Sequence, residues 1–592
     1  MRLAIILVIG VLATLGVAIA IKSQFHQLDR AEASARSAAV DFQADAKKAL
    51  AEPDPSLTIV EPDYKEQVAQ IVPQLGAEDA KTRSAALDVL TSLRSAALPA
   101  VQAAADRSGI DPAVRASLQN VIPLLKIRFG HEEQFRNQRE GYLKDLLDAY
   151  DKYGQHNPQW DDRVHQVLPA LFRLPSPQDR TAEQEARIQK VLDKIVVSAH
   201  CDDPVVKYAW SCMKAELAPT PDDYNGATMA LQHAAQTLPE EGWTASARAI
   251  LMSGFQPSYG PFMVGTPAQL NNGVDMRASI FRRFSREAVL PPDIKQKWGS
   301  GLMWEMEHSI VLPNMAIAGQ PLTLRLSSST EVEHDFGIIQ GAIEKALPGR
   351  VEPLLLTGRF YIDYAWDARG DGWANEVSDE SAKLFKERLL LARTALQKAY
   401  DLDPTDARAA TMMITVCMGL SEDRPTADLW YQRAMKADPD CYDATQAMLL
   451  YLDPRWHGTT EELMSFARTG RQTHNWRGRA PLAIIDAYEN LADLMRLAPS
   501  LAFKPDDRAE FLGGDDVWNE IHGVFESYLT LFPNDRRERT RYARITVAAH
   551  KWKEARAQFD VLKDSPWPGI FRQEDYNAAR TLAGAGSSGD AN

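Results

Sequence analysis

Two Glu-x-x-His pairs, Glu305/His308 and Glu331/His334, have the spacing in this chain that comes nearest to a metal site. On a helix, that spacing turns a carboxylate and an imidazole to one side, as in di-iron carboxylate bundles. Such bundles also take two carboxylates from facing helices, and the second pair follows Ser327-Ser328-Ser329, a poor start for a core helix. With 12 histidines and 80 acidic residues, chance pairs are expected. The pairs therefore read as solvated helix faces, and no metal or cofactor is expected. The rival reading is a metal-dependent enzyme using Glu305 to Phe336, with these four residues as ligands or acid–base groups. No phosphate loop, His-Glu-x-x-His helix or Gly-x-Ser-x-Gly elbow occurs anywhere.

Cysteine chemistry is equally sparse. Cys201/Cys212 and Cys417/Cys441 could each bridge facing helices outside the cytoplasm. Cys417 lies in the apolar run Met412 to Met418, so a buried free thiol is expected there. None has the neighbours of a nucleophile.

A third cluster joins aromatic and basic residues: Arg369, Trp373, Arg455, Trp456, His457, His474, Asn475, Trp476, Arg477 and Arg479. Trp and Arg dominate binding hot spots, because they combine contact area with directed donors. The expected partner-binding set is Arg369, Trp373, Arg455, Trp456, His457, Asn475, Trp476 and Arg477. The alternative is that the tryptophans are core wedges and the arginines cap helices or pair with Asp367, Asp371 and Asp453. Nucleic acid is excluded as a partner: a formal net charge of −14 gives no basic field.

The elements that must carry these residues read as helices. Length 592 allows about three to five domains or one long repeat array. Hydrophobic residues at 45% and charged residues at 25% exclude wholesale disorder. Residues 1–22 hold the apolar run Leu3 to Ile21, flanked by Arg2 and Lys22, long enough to cross a ~30 Å hydrocarbon layer. An uncleaved anchor is preferred over a signal peptide cut after Ala18-Ile19-Ala20, since the run stays apolar through Ile21. The body is then expected at the cell envelope, on the extracytoplasmic side. Residues 23–63 form an Ala-rich stalk and a Pro-containing linker.

Over 64–130, Ile71, Leu75, Ala86, Leu87 and Leu90, then Leu98, Val101, Val114, Leu118, Val121 and Leu124, recur at helical steps. Ala80-Lys81-Thr82-Arg83 and Pro112-Ala113-Val114-Arg115 open two such helices, and the segment resembles HEAT repeats. Residues 131–253 continue helical by pattern. Residues 254–356 form a connector that begins Gly-, Pro- and Asn-rich and includes a possible strand at Leu322 to Leu326.

In 357–497, Phe385, Leu389, Ala392, Leu396 and Ala399 mark one face of a long helix ending at Pro404. Both Ala399 and Pro404 recur 35 residues later, as Ala434 and Pro439. This Ala-x4-Pro period resembles the tetratricopeptide (TPR) repeat. Residues 498–583 carry a second stretch of the same texture around Tyr528 to Asp535, with Tyr542, Ala543, Trp552, Ala555 and Phe559 following. Residues 584–592 are a polar tail. From Gly358 to Pro481 the chain also resembles bacterial TPR proteins carrying a domain of unknown function. The shared strings are Ala365 to Ala374 (Ala-Trp-x-Ala-Arg-Gly-x-Gly-Trp-Ala) and Pro454-Arg455-Trp456-His457-Gly458. That resemblance implies architecture and no activity. The expectation is an all-α helical-repeat solenoid on one N-terminal transmembrane helix. It would be a non-catalytic scaffold or adaptor for protein or peptide partners, with an envelope solute- or glycan-binding protein as a further alternative.

Overall fold

A computed structural model describes residues 62–217, 348–497 and 507–586, apart from isolated positions, with a few residues outside these ranges. Within them the chain is all-α, and no strand forms among the described residues. The apolar run Leu3 to Ile21, the stalk, the Gly254 to Gly273 stretch, Leu322 to Leu326 and both Glu-x-x-His pairs lie outside the described residues. No described helix is long and apolar enough to cross a membrane.

Helices are numbered here through the described residues. The N-terminal group comprises α1 (Tyr64–Ile71), α2 (Ala80–Ser92), α3 (Leu98–Ala105) and α4 (Pro112–Tyr153). Three of the four starts are capped locally: Asp63, Asp79 and Asp111 accept from first-turn amides, and Pro112 sits where its missing N–H costs nothing. Ile71, Leu75, Ala86, Leu90, Val101, Val114, Leu118 and Val121 close one core, as their spacing required. Leu125 takes the place expected of Leu124, which turns away by about 100° and stays half-exposed.

Helix α4 does not end near residue 130. It runs for 42 residues, roughly 63 Å, and Leu143, Leu146 and Tyr150 carry its far half into a second core. The polar composition of 131–142 concealed this continuity, because the period resumes only at Leu143. Helices α5 (Asp161–Phe172), α6 (Ala182–Asp193) and α7 (Pro204–Leu217) complete that region.

After the undescribed stretch come α8 (Glu352–Arg369), α9 (Asp379–Leu402), α10 (Ala407–Gly419), α11 (Arg424–Ala437), α12 (Tyr442–Tyr451), α13 (Thr460–Gln472) and α14 (Ala483–Leu497). The repeat is visible in the backbone. Helices α9 and α11 end at Asp403 (φ −143°, ψ 90°) and Asp438 (φ −141°, ψ 102°), the same cap 35 residues apart. Phe385, Leu389, Ala392, Leu396 and Ala399 are all buried. Gly358 lets α8 cross α9 closely, since a Cβ there would strike the Leu396 side chain. Helices α15 (Asp507–Gly513), α16 (Asp515–Leu531), α17 (Arg536–Ala548), α18 (Trp552–Leu562) and α19 (Gln573–Gly586) extend the stack. One apolar core runs from Leu143 to Ala549, so α5–α7 and the α8–α17 array fold as one body. The N-terminal core is separate from it.

Candidate functional site

The aromatic–basic cluster divides into two places. The first lies where α8 ends and α12 turns. Arg369 is held with its guanidinium carbon 5.6 Å from the Trp366 ring and 5.2 Å from the Trp456 ring. The two indoles meet edge-on at 5.3 Å, and Trp366 leans on Phe385. Arg369 spends one nitrogen on the Gly370 and Gly372 carbonyls, 3.1 Å each. Arg455 forms a two-pronged pair with buried Asp453, at 2.8 Å on both oxygens. His457 donates from Nε2 to the Met418 carbonyl at 2.7 Å. Gly458 has no room for a Cβ, which would strike the Leu452 backbone, so the Pro-Arg-Trp-His-Gly turn closes tightly. Arg369, Arg455 and Trp456 remain half-exposed and His457 exposed, so the group offers a surface. Trp373 and Asp371 lie outside the described residues.

The second place faces inward. Trp476 is 1% exposed, with Arg471 over its ring and its Nε1–H without a partner. Arg477 is used up by the N-terminal half of the chain, and Asn475 is shared between that half and the array. Arg477 donates to both oxygens of Asp179 (2.8 and 2.9 Å) and to the Ser92 carbonyl (2.8 Å). Asn475 donates to Asp440 and the Pro439 carbonyl and accepts from Arg128 at 2.6 Å. Arg128, 4% exposed, also grips both Asp440 oxygens (2.6 and 2.9 Å) and the Thr91 carbonyl (2.5 Å). His474 pairs with Asp88 at 2.6 Å and accepts at its carbonyl from the Thr91 hydroxyl. Arg479 pairs with Glu538. These residues form a polar seam that ties the N-terminal group to the array. Burial pushes the Asp440 carboxyl upward, and Arg128 and Asn475 more than reverse it, leaving it below the usual range. Asp179 is held low in the same way, by Arg477 against burial.

Sequence spacing gave no hint of the seam, because Arg128 and Asp440 lie 312 positions apart. It also missed a cluster around Tyr150, whose phenol donates to Asp161 at 2.7 Å, while His165 meets Asp151 at 2.7 Å. Close by, Asp203 caps α7 through the Val205 and Val206 amides. These contacts fix the α4–α5 turn and the start of α7, and no group of metal ligands forms among the described residues.

No family model and no curated protein matches the chain. What the site can do must be read from its own chemistry.

Cysteine chemistry is quiet. Cys201, Cys417 and Cys441 are free. Burial pushes the Cys201 thiol up to about 12, and burial, followed by the Glu422 carboxylate that its thiol faces, raises that of Cys417. Neither thiol has the depressed pKa of a nucleophile.

One cavity of about 250 Å³ opens between α4, α11, α12, α13 and the start of α14, beside the seam. Its walls are uncharged: Leu124, Tyr431, Met435, Phe466 and Ala483 among apolar groups, with Thr445, Thr469, Thr473 and Asn475 supplying polar ones.

Proposed function

We propose that this chain is a non-catalytic scaffold or adaptor of the cell envelope that binds protein or peptide partners. It would be held at the membrane by Leu3 to Ile21, with a HEAT-like opening and a TPR-like array. Stacked helix pairs bury a continuous core and leave long faces for recognition, and the 35-residue recurrence of the Asp403 and Asp438 caps supports that reading.

The observation that carries it is the half-exposed Trp366–Arg369–Trp456 stack beside Arg455 and His457. Its arginine is already oriented, so a partner carboxylate or carbonyl would meet a donor whose rotamer freedom is largely spent. Asn475, Trp476 and Arg477 leave the binding set, because they are committed to the chain itself. The site reduces to Arg369, Arg455, Trp456 and His457, with Trp373 beside it in sequence.

The test is crosslinking in the native membrane and pull-down, comparing wild type with Trp456→Ala and Arg369→Ala. A defined partner lost from both variants, with melting curves retained, supports the reading. A partner set unchanged in both variants overturns it.

A further inference from the structure

The cavity at the seam has the chemistry of a ligand site, and its hydrogen-bond bookkeeping narrows the ligand. Its size is ample for a small ring: about 250 Å³, against roughly 150 Å³ for a cavity that takes up benzene. One aromatic ring with a substituent, or a fused pair, fits that volume. The walls favour a ring. Tyr431 and Phe466 meet edge-to-face at 5.2 Å and 73°, and Met435 adds a thioether that packs well on aromatic edges. No charged side chain lines the space, so a charged ligand would lose its hydration with nothing to replace it.

The polar groups are not interchangeable. Asn475 has both amide hydrogens and its oxygen engaged within the seam. The Thr445 hydroxyl lies close to the Tyr431 phenol, so the two groups face each other first. The Thr469 hydroxyl gives its proton to the Phe466 carbonyl at 2.6 Å, and that of Thr473 gives its proton to the Gly470 carbonyl at 2.7 Å. The Thr473 oxygen also accepts from the Asn475 backbone amide at 3.1 Å, so what the rim offers the cavity is chiefly the acceptor lone pairs of Thr469, which is exposed there. A fitting ligand therefore brings a donor.

We propose that this cavity binds a neutral aromatic group carrying one hydrogen-bond donor, a phenol or an indole, with the donor on the Thr469 hydroxyl oxygen at the rim. Leu124 of α4 forms one wall, so the occupant touches the N-terminal group and the array at once. The site shares no residue with the Trp366–Arg369–Trp456 surface and stands independently of the partner-binding reading.

Isothermal titration calorimetry of the full chain tests it with p-cresol, indole, toluene and N-acetyl-tyrosinamide. Saturable one-to-one binding of p-cresol and indole is expected, with toluene about fivefold weaker for want of the donor. Thr469→Val should lower p-cresol affinity to that of toluene and leave toluene unchanged. Met435→Trp, at a half-buried position, should fill the space and abolish binding while the melting curve persists. N-acetyl-tyrosinamide binding as well as p-cresol would place the phenol on a peptide, and its exclusion would place it on a free small molecule. No saturable heat with p-cresol or indole overturns the proposal, as does toluene binding equal to p-cresol. So does p-cresol affinity unchanged in both folded variants.

Discussion

Replacing Arg128 by alanine should loosen the N-terminal group without unfolding the array. Arg128 makes five hydrogen bonds: three cross the seam, two to Asp440 and one to Asn475, and two brace it within the N-terminal group, on the Thr91 and Leu93 carbonyls. Breaking a buried ion pair costs about 3–5 kcal/mol, because the remaining charge stays desolvated. Asp440 is 23% exposed and keeps its Asn475 bond, so the lower end applies, about 3 kcal/mol. That corresponds to roughly a hundredfold rise in the opening constant of α1–α3, which pack with the first half of α4 around a core of their own. Hydrogen exchange read by mass spectrometry over residues 64–105 measures it directly.

The pH dependence carries a definite sign. In the wild type the Asp440 carboxyl is depressed, so its stabilisation is present above the ordinary carboxylate pKa and is lost as pH falls through the folded value. Without Arg128, burial is opposed only by the Asn475 amide and the Arg477 charge, so that carboxyl rises from its wild-type value. The penalty is then fully felt near neutrality and relieved on protonation, so the gap between variant and wild type should narrow from pH 7 towards pH 4. The double variant Arg128→Met/Asp440→Asn removes both charges and should recover most of the loss. Exchange of residues 64–105 in Arg128→Ala within threefold of wild type at pH 7 would refute this account of the seam.

Three further outcomes follow from buried groups. Trp476→Ala should cost about 3–5 kcal/mol, as for a large ring removed from a closed core, whereas Trp476→Phe should cost less than half of that, since it also removes an unpartnered N–H; thermal unfolding of the array checks both. Asp363, half-buried on α8 beside Arg359, has its carboxyl pushed up to about 6 by desolvation, more than the arginine restores. The folded state thus holds that proton more tightly than the unfolded one, so Asp363→Asn should stabilise by about 2 kcal/mol at pH 7.5 and by little at pH 4, read as a pH-dependent shift in melting. Cys201, Cys417 and Cys441 should resist iodoacetamide at pH 8 by on the order of a hundredfold relative to the denatured chain, checked by mass spectrometry of labelled peptides.

Local periodicity made much of the helical architecture legible. The face from Phe385 to Ala399 and the 35-residue recurrence were readable because a helix that buries one stripe must write that stripe at three- and four-residue steps. The end of the N-terminal group was not readable in this way. Helix α4 crosses from one core to another, and between them its residues need only be helix-compatible, so the apolar signal fades while the helix continues. Leu124 shows the same limit at single-residue scale: adjacent leucines at 124 and 125 leave the core face ambiguous by one step, about 100° around the helix.

The candidate site was legible as residue types and illegible as partners. Trp and Arg at helix turns serve equally to grip another protein or another part of the same chain, because desolvated rings and directed guanidinium donors stabilise both kinds of interface. The choice depends on what lies opposite, and in this fold that is set by residues hundreds of positions away. Arg477 faces Asp179 and the Ser92 carbonyl, whereas Arg455 finds its acid two residues off, at Asp453, and keeps one flank open. An arginine neutralised by a local acid can remain at a surface; one neutralised across a seam cannot leave it without stranding a half-buried carboxylate unpaired. That difference separates the binding face proposed at Trp456 from the structural lock at Asn475–Arg477, and composition alone carries no trace of it.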